Sequence, residues 1–111
     1  MMAQFDVYGN PGKRTARAYP FLIVVQSDRW AITGTRLVAP LVLRSAMPMV
    51  EVAQHVLTPV FDINGSEVFL NLFDVTPIPI DRLGKAVSSL GGNSEAKRRI
   101  QSALDEVLSP Y

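Results

Sequence analysis

The sequence predicts one mainly β domain, an antiparallel sheet or small barrel with a single helix packed on it near the carboxy end. Three observations carry this. Phe21-Leu22-Ile23-Val24-Val25 and Leu37-Val38-Ala39-Pro40-Leu41-Val42 are apolar runs of strand length, rich in β-branched residues. Asn64-Gly65 stands between two further apolar runs, and both residues accept the positive φ of a tight hairpin turn. From Asp81 onward the apolar residues change to a helical period.

Taken in order, Gln4-Phe5-Asp6-Val7-Tyr8 alternates, with Phe5 and Val7 on one face and Gln4, Asp6 and Tyr8 on the other, as in a half-buried first strand. Gly9-Asn10-Pro11-Gly12 breaks it. Lys13, Arg14 and Arg17 follow in a loop with two readings, a solvated loop or a docking site for an acidic partner. The run 21–25 reads as a strand buried on both faces, with 37–42 as its neighbour. Pro40 then requires a place without a ladder hydrogen bond, such as a strand end or an edge. The connection from Gln26 to Arg36 holds the densest set of distinctive side chains, so a surface function is expected there.

Met49-Val50-Glu51-Val52-Ala53 leads into another extended segment, in which His55 stands alone. Without a second histidine or any cysteine, His55 belongs to no two-histidine zinc site and no Cys-His pair, and without a Gly-x-Ser-x-Gly elbow it reads as structural or superficial. Thr58–Ile63 and Ser66–Leu72 form the hairpin around Asn64-Gly65. Val75-Thr76-Pro77-Ile78-Pro79-Ile80 alternates prolines with β-branched residues, which suits an edge strand. From Asp81, the spacing of Leu83, Val87 and Leu90 predicts a short helix ended by Gly91-Gly92. Asn93 or Ser94 then caps a final helix, with Glu95 at its positive end and Ala96, Ile100, Leu104, Val107 and Leu108 on one stripe. Glu95 and Arg99 stand in the favourable i to i+4 order.

Composition bounds the function. The 111 residues, 48% of them hydrophobic, suffice for one core and are read as a single domain over 1–111. A formal charge of +1 gives no field able to hold a phosphate backbone, so direct nucleic-acid binding is not expected. Zero cysteines remove disulfides and thiolate chemistry and suit a reducing cytoplasm. No apolar run approaches the roughly 18 residues of a membrane span, and Met1–Asp6 has no basic region ahead of an apolar one, so neither a membrane segment nor a signal peptide is expected. No phosphate loop, carboxylate pair or metal-ligand cluster stands out.

Gln4-Phe5, Val7 and Tyr8, the Gln26-Ser27-Asp28 turn, Gly34, Arg36, Pro40-Leu41, Pro59-Val60, Asn64-Gly65, the proline-bearing strand after it, and Ile100, Ala103 and Leu104 occur in an order that resembles the CcdB family over nearly the whole chain. The resemblance implies an SH3-like barrel with extra strands and a carboxy-terminal helix. It also implies a cytoplasmic homodimer without cofactors that serves plasmid maintenance as the toxin of a type II toxin-antitoxin system. Such toxins bind the A subunit of DNA gyrase, a topoisomerase, and trap it on cleaved DNA. They are not themselves catalytic, and a CcdA-like antitoxin with a disordered tail releases the enzyme.

The resemblance puts the gyrase contact on Ser27, Arg29, Trp30, Asp105, Ser109, Pro110 and Tyr111, and the antitoxin contact on Tyr8, Lys13, Arg14 and Arg17. Two departures stand out. Ser109-Pro110-Tyr111 occupies the positions of the family's Trp-Gly-Ile, and Arg29-Trp30 replaces an apolar pair. Trp30 then reads either as a relocated aromatic anchor or as an edge tryptophan at a dimer or core boundary. An alternative function is a ribonuclease resembling the MazF and PemK toxins, which share the barrel, with Arg14, Thr15 and Arg36 as the candidates for steadying phosphate and moving a proton. A non-toxic binding homologue is the third reading.

Overall fold

The computed structural model describes residues 3–30, 33–46 and 57–108. The extended segment expected over 49–53, His55, and Ser109, Pro110 and Tyr111 lie outside the described residues. The strands are β1 (Asp6–Gly9), β2 (Phe21–Val24), β3 (Thr35–Leu43), β4 (Val60–Ile63), β5 (Ser66–Leu70), β6 (Thr76–Pro79) and β7 (Ala86–Ser89), followed by the helix α1 (Ser94–Leu108). Among the described residues they form one seven-stranded antiparallel sheet in the order β4-β5-β3-β2-β1-β7, with β6 on the remaining length of β3. The sheet curls into a half-barrel. Its two end strands are drawn together where Asn64 Nδ2 of the β4–β5 turn donates to the Val87 carbonyl of β7 at 3.3 Å.

The expected central pair is present. Leu22 lies opposite Pro40, and Ile23 opposite Ala39. Side chains of β2 alternate between two apolar layers, which explains why its run is unbroken: Ile23 enters a layer with Phe5, Val7, Leu41, Ile63, Leu70, Ile100 and Ala103, whereas Leu22 and Val24 enter a second with Tyr8, Val38 and Leu83. The helix covers the first layer. Tyr19 and Ile78 pack on the second.

Pro40 sits inside β3, not at its end. Its carbonyl accepts from Asn71 N at 3.1 Å, and in an extended residue the N and C=O point the same way. The missing N–H therefore falls where β3 passes from β6, paired over Thr35–Val38, to β5, paired over Leu41–Leu43. No ladder bond is lost there.

The hairpin turn has φ of 51° at Asn64 and 89° at Gly65, closes on the pair Ile63 and Ser66, and is fastened by Gly65 N donating to Asp62 Oδ1. In α1 the cap is Asn93, whose Oδ1 accepts from Ala96 N at 3.0 Å. Glu95 pairs with Arg98 rather than Arg99. Arg99 instead reaches the edge strand, donating to the Val60 carbonyl at 2.9 Å and lying 4.8 Å over the Phe61 ring.

Two expectations are corrected. The segment with Leu83, Val87 and Leu90 is no helix: a 3-10 turn over Ile80–Arg82 ends before Gly84, whose φ is +68°, and β7 follows. Leu83 and Leu90 belong to different apolar layers and Val87 is exposed, so their helical spacing marks no common face. Tyr8, expected beside Asp6 on a polar face, is only 2% exposed and faces the second layer.

Candidate functional site

Two surfaces gather the distinctive residues. The first is an open groove of about 610 Å³ between the carboxy-terminal half of α1 and the start of the β2–β3 connection. Val25, Leu37, Leu72, Val75, Leu104 and Leu108 make it mainly apolar, and Gln4, Ser27, Gln101 and Asp105 supply polar walls. Ser27 and Asp105, 78 positions apart in sequence, thus border one cavity.

The Gln26-Ser27-Asp28 stretch explains how the turn is held. Gln26 spans the connection, its Nε2 donating to the Trp30 carbonyl at 2.8 Å while its Oε1 accepts from Leu37 N at 3.1 Å. Asp28 Oδ1 accepts from Gln4 N at 2.7 Å, and Gln4 Nε2 donates to the Val25 carbonyl. Ser27 Oγ accepts from Arg29 N, and Asp28–Trp30 forms a single 3-10 turn. Gln26 and Asp28 are therefore spent on the fold, and the turn presents Arg29 and Trp30, the latter 62% exposed. On the opposite wall, Asp105 accepts from Gln101 Nε2 at 3.2 Å.

The second surface is the basic loop between β1 and β2. Asn10 organises it: its Nδ2 donates to Thr15 Oγ1 and to the Tyr19 carbonyl, both at 2.9 Å, and its Oδ1 accepts from Gly12 N. A Cβ at Gly12 would lie 2.7 Å from Thr15 Oγ1, so a larger residue there would displace the hydroxyl that Asn10 holds. Lys13, Arg14 and Arg17 point into solvent, and neither ion pair among the described residues, Arg44–Glu67 and Arg98–Glu95, involves them. Tyr8 underlies the sheet instead of joining this surface. Burial pushes its phenol above the usual tyrosine range, the Asp6 carboxylate adds to that, and the Arg36 guanidinium opposes it.

Of the residues suited to phosphate chemistry, Thr15 has its hydroxyl tied into the loop, also donating to the Gly12 carbonyl, and Arg36 is 7% exposed. Arg36 was legible in the sequence only as a cation; its burial follows from its even position on β3, on the same face as Val38. Among the described residues no three His, Asp or Glu side chains are grouped to hold a metal ion, and no helix is long and apolar enough to cross a membrane.

A family model described as "CcdB protein" matches residues 4–109. Among the curated proteins compared, none matches the chain.

Proposed function

Because the chain belongs to the CcdB family, whose members are toxins of toxin-antitoxin systems, we propose that it acts on the A subunit of DNA gyrase as a weakened, non-catalytic poison. The proposed contact set is Ser27 and Asp105 on the groove wall and Arg29 and Trp30 of the adjoining turn, together with Ser109, Pro110 and Tyr111, which the family resemblance alone assigns. The observation that supports this reading is the meeting of Ser27 and Asp105 at one groove, beside an exposed tryptophan on a braced turn. The weakening follows from residue identity at 109–111. Serine offers none of the flat surface of the family's tryptophan, and losing a buried aromatic anchor costs roughly 2 kcal/mol or more, about thirtyfold in affinity.

The remaining partners belong to the same proposal. A disordered, acidic, CcdA-like antitoxin docks on Lys13, Arg14 and Arg17, the chain is a cytoplasmic homodimer, and no cofactor takes part. The ribonuclease reading loses one of its two candidate cations, Arg36, to burial, and Arg14 alone stays exposed.

Supercoiling and cleavage assays with purified gyrase test the proposal, run beside the combined variant Ser109→Trp, Pro110→Gly, Tyr111→Ile. The expected outcome is weak trapping of cleaved DNA by the natural chain and trapping strengthened about thirtyfold by the variant. Nanomolar trapping by the natural chain moves the anchor to Trp30. No effect of either protein at micromolar concentration removes gyrase as the target.

A further inference from the structure

The asparagines of the chain, Asn10, Asn64, Asn71 and Asn93, differ in how open they are to one reaction, attack of the following backbone nitrogen on the side-chain amide. Asn10 precedes Pro11, whose nitrogen has no proton to lose. Asn71 precedes the buried and branched Leu72, and its Oδ1 accepts from Phe73 N. Asn93 has its Oδ1 fixed by Ala96 N as the cap of α1. Asn64 alone precedes a glycine. Asn64 and Gly65 are both exposed, and beyond the chain neighbours no heavy atom lies within 4 Å of where a Cβ on Gly65 would stand. Nothing on that side crowds the nitrogen that attacks.

We infer that Asn64 is a site of spontaneous deamidation, held in check by Asp62, and that its conversion unfastens the two end strands of the sheet. In the reaction Gly65 N loses its proton to hydroxide and its electron pair attacks Asn64 Cγ. The new N–C bond closes a cyclic imide, and Nδ2 leaves as ammonia with a proton taken from water. A second water then adds to one of the imide carbonyls and breaks its bond to the nitrogen, giving aspartate or isoaspartate. Asp62 opposes the first step. Its Oδ1 accepts the Gly65 N–H at 2.9 Å, so the proton is held by a carboxylate whose charge also disfavours a second anion beside it. The leaving amide is held more loosely, Nδ2 donating to the Val87 carbonyl at 3.3 Å. That same bond is what conversion removes. An aspartate at 64 has no donor for the Val87 carbonyl and sets two acceptors against each other. Isoaspartate lengthens the backbone by a methylene inside a turn that closes on the pair Ile63 and Ser66. In both products the β4–β5 turn lets go of β7, the strand that leads through Gly91-Gly92 into α1.

The test incubates the full chain in warm, mildly alkaline buffer beside Asp62→Ala and a free peptide of residues 61–67, and follows each asparagine by peptide mapping with fragmentation that separates aspartate from isoaspartate. Asn64 is expected to convert to both products while Asn10, Asn71 and Asn93 stay intact. It should convert at least about tenfold more slowly than in the free peptide, and Asp62→Ala should recover about that factor, because a hydrogen bond to a charged group no longer has to be broken. The product variant Asn64→Asp is expected to melt about 4 °C lower than the natural chain, with faster amide exchange along β7, and the aged fraction, separated by its added negative charge, should match it. An Asn64 that survives in the natural chain and in Asp62→Ala after the free peptide has converted fully overturns the site, as does prior conversion at Asn71 or Asn93. An equal or slower rate in Asp62→Ala overturns the check by Asp62. Unchanged melting and unchanged β7 exchange in Asn64→Asp and in the aged fraction overturn the unfastening.

Discussion

At the scale of single residues, the groove turn and the basic loop are built alike. One amide side chain, Gln26 or Asn10, satisfies the backbone of an irregular segment at both donor and acceptor ends and leaves the neighbouring charged or aromatic side chains free. Tyr8 shows the reverse case, a polar group taken out of solvent. Its raised pKa has a definite consequence for stability. The folded state holds the phenolic proton more tightly than the unfolded chain, whose tyrosines titrate near 10, so the contribution is complete below about pH 10 and is lost as pH rises toward the native value. Urea midpoints measured from pH 8 to pH 11 should therefore fall more steeply for the natural chain than for Tyr8→Phe. Parallel slopes would show that the phenol of Tyr8 titrates as it does unfolded.

At the scale of elements, what the sequence made legible depended on whether a local signal matched a single partner. The hairpin at Asn64-Gly65 was readable because its φ requirement is local, and α1 because Ala96, Ile100, Leu104 and Val107 of its stripe face one layer, Leu108 alone staying exposed. The β7 segment was not, since Leu83 and Leu90 serve different layers and a three-residue spacing pattern carries no record of which layer each joins. Pro40 was half legible: the need for an unpaired N–H was readable, but the gap between β5 and β6 that provides it exists only in the assembled sheet. The same limit applied to the site, where no periodicity or spacing brings Ser27 and Asp105 together and only the family resemblance grouped them. Within α1, Ile100 is fully buried between the sheet and the helix axis, and its neighbours Ala96 and Ala103 are too small to close a void. Ile100→Ala should cost about 2–5 kcal/mol in chemical denaturation, with an unchanged m-value. A loss below about 1 kcal/mol would mean that α1 is not docked on this layer.

At the scale of the molecule, the described residues of the curled sheet and its helix leave an apolar groove that a single copy does not cover. Scattered exposed apolar side chains are ordinary, but Leu37, Val75 and Leu108, exposed by 41%, 37% and 75%, line the same groove. Leu37 and Val75 come from the strand side, where β3 meets the proline-bearing edge strand β6, whose Pro77 lies opposite Leu37 and withholds the N–H that a further strand would need. Edge pairing is thus discouraged while side-chain contact across the groove is not. The proposed homodimer would cover this strand side and leave the turn of Arg29 and Trp30 accessible to gyrase. Light scattering at micromolar concentration should then give twice the monomer mass, and Leu37→Glu should give the monomer mass with an unchanged far-UV spectrum, since a carboxylate buried in an apolar contact costs several kcal/mol while costing little on an exposed strand position. A natural chain that scatters as a monomer at that concentration leaves the groove free for the target alone, and the gyrase contact would then have to be made by one copy.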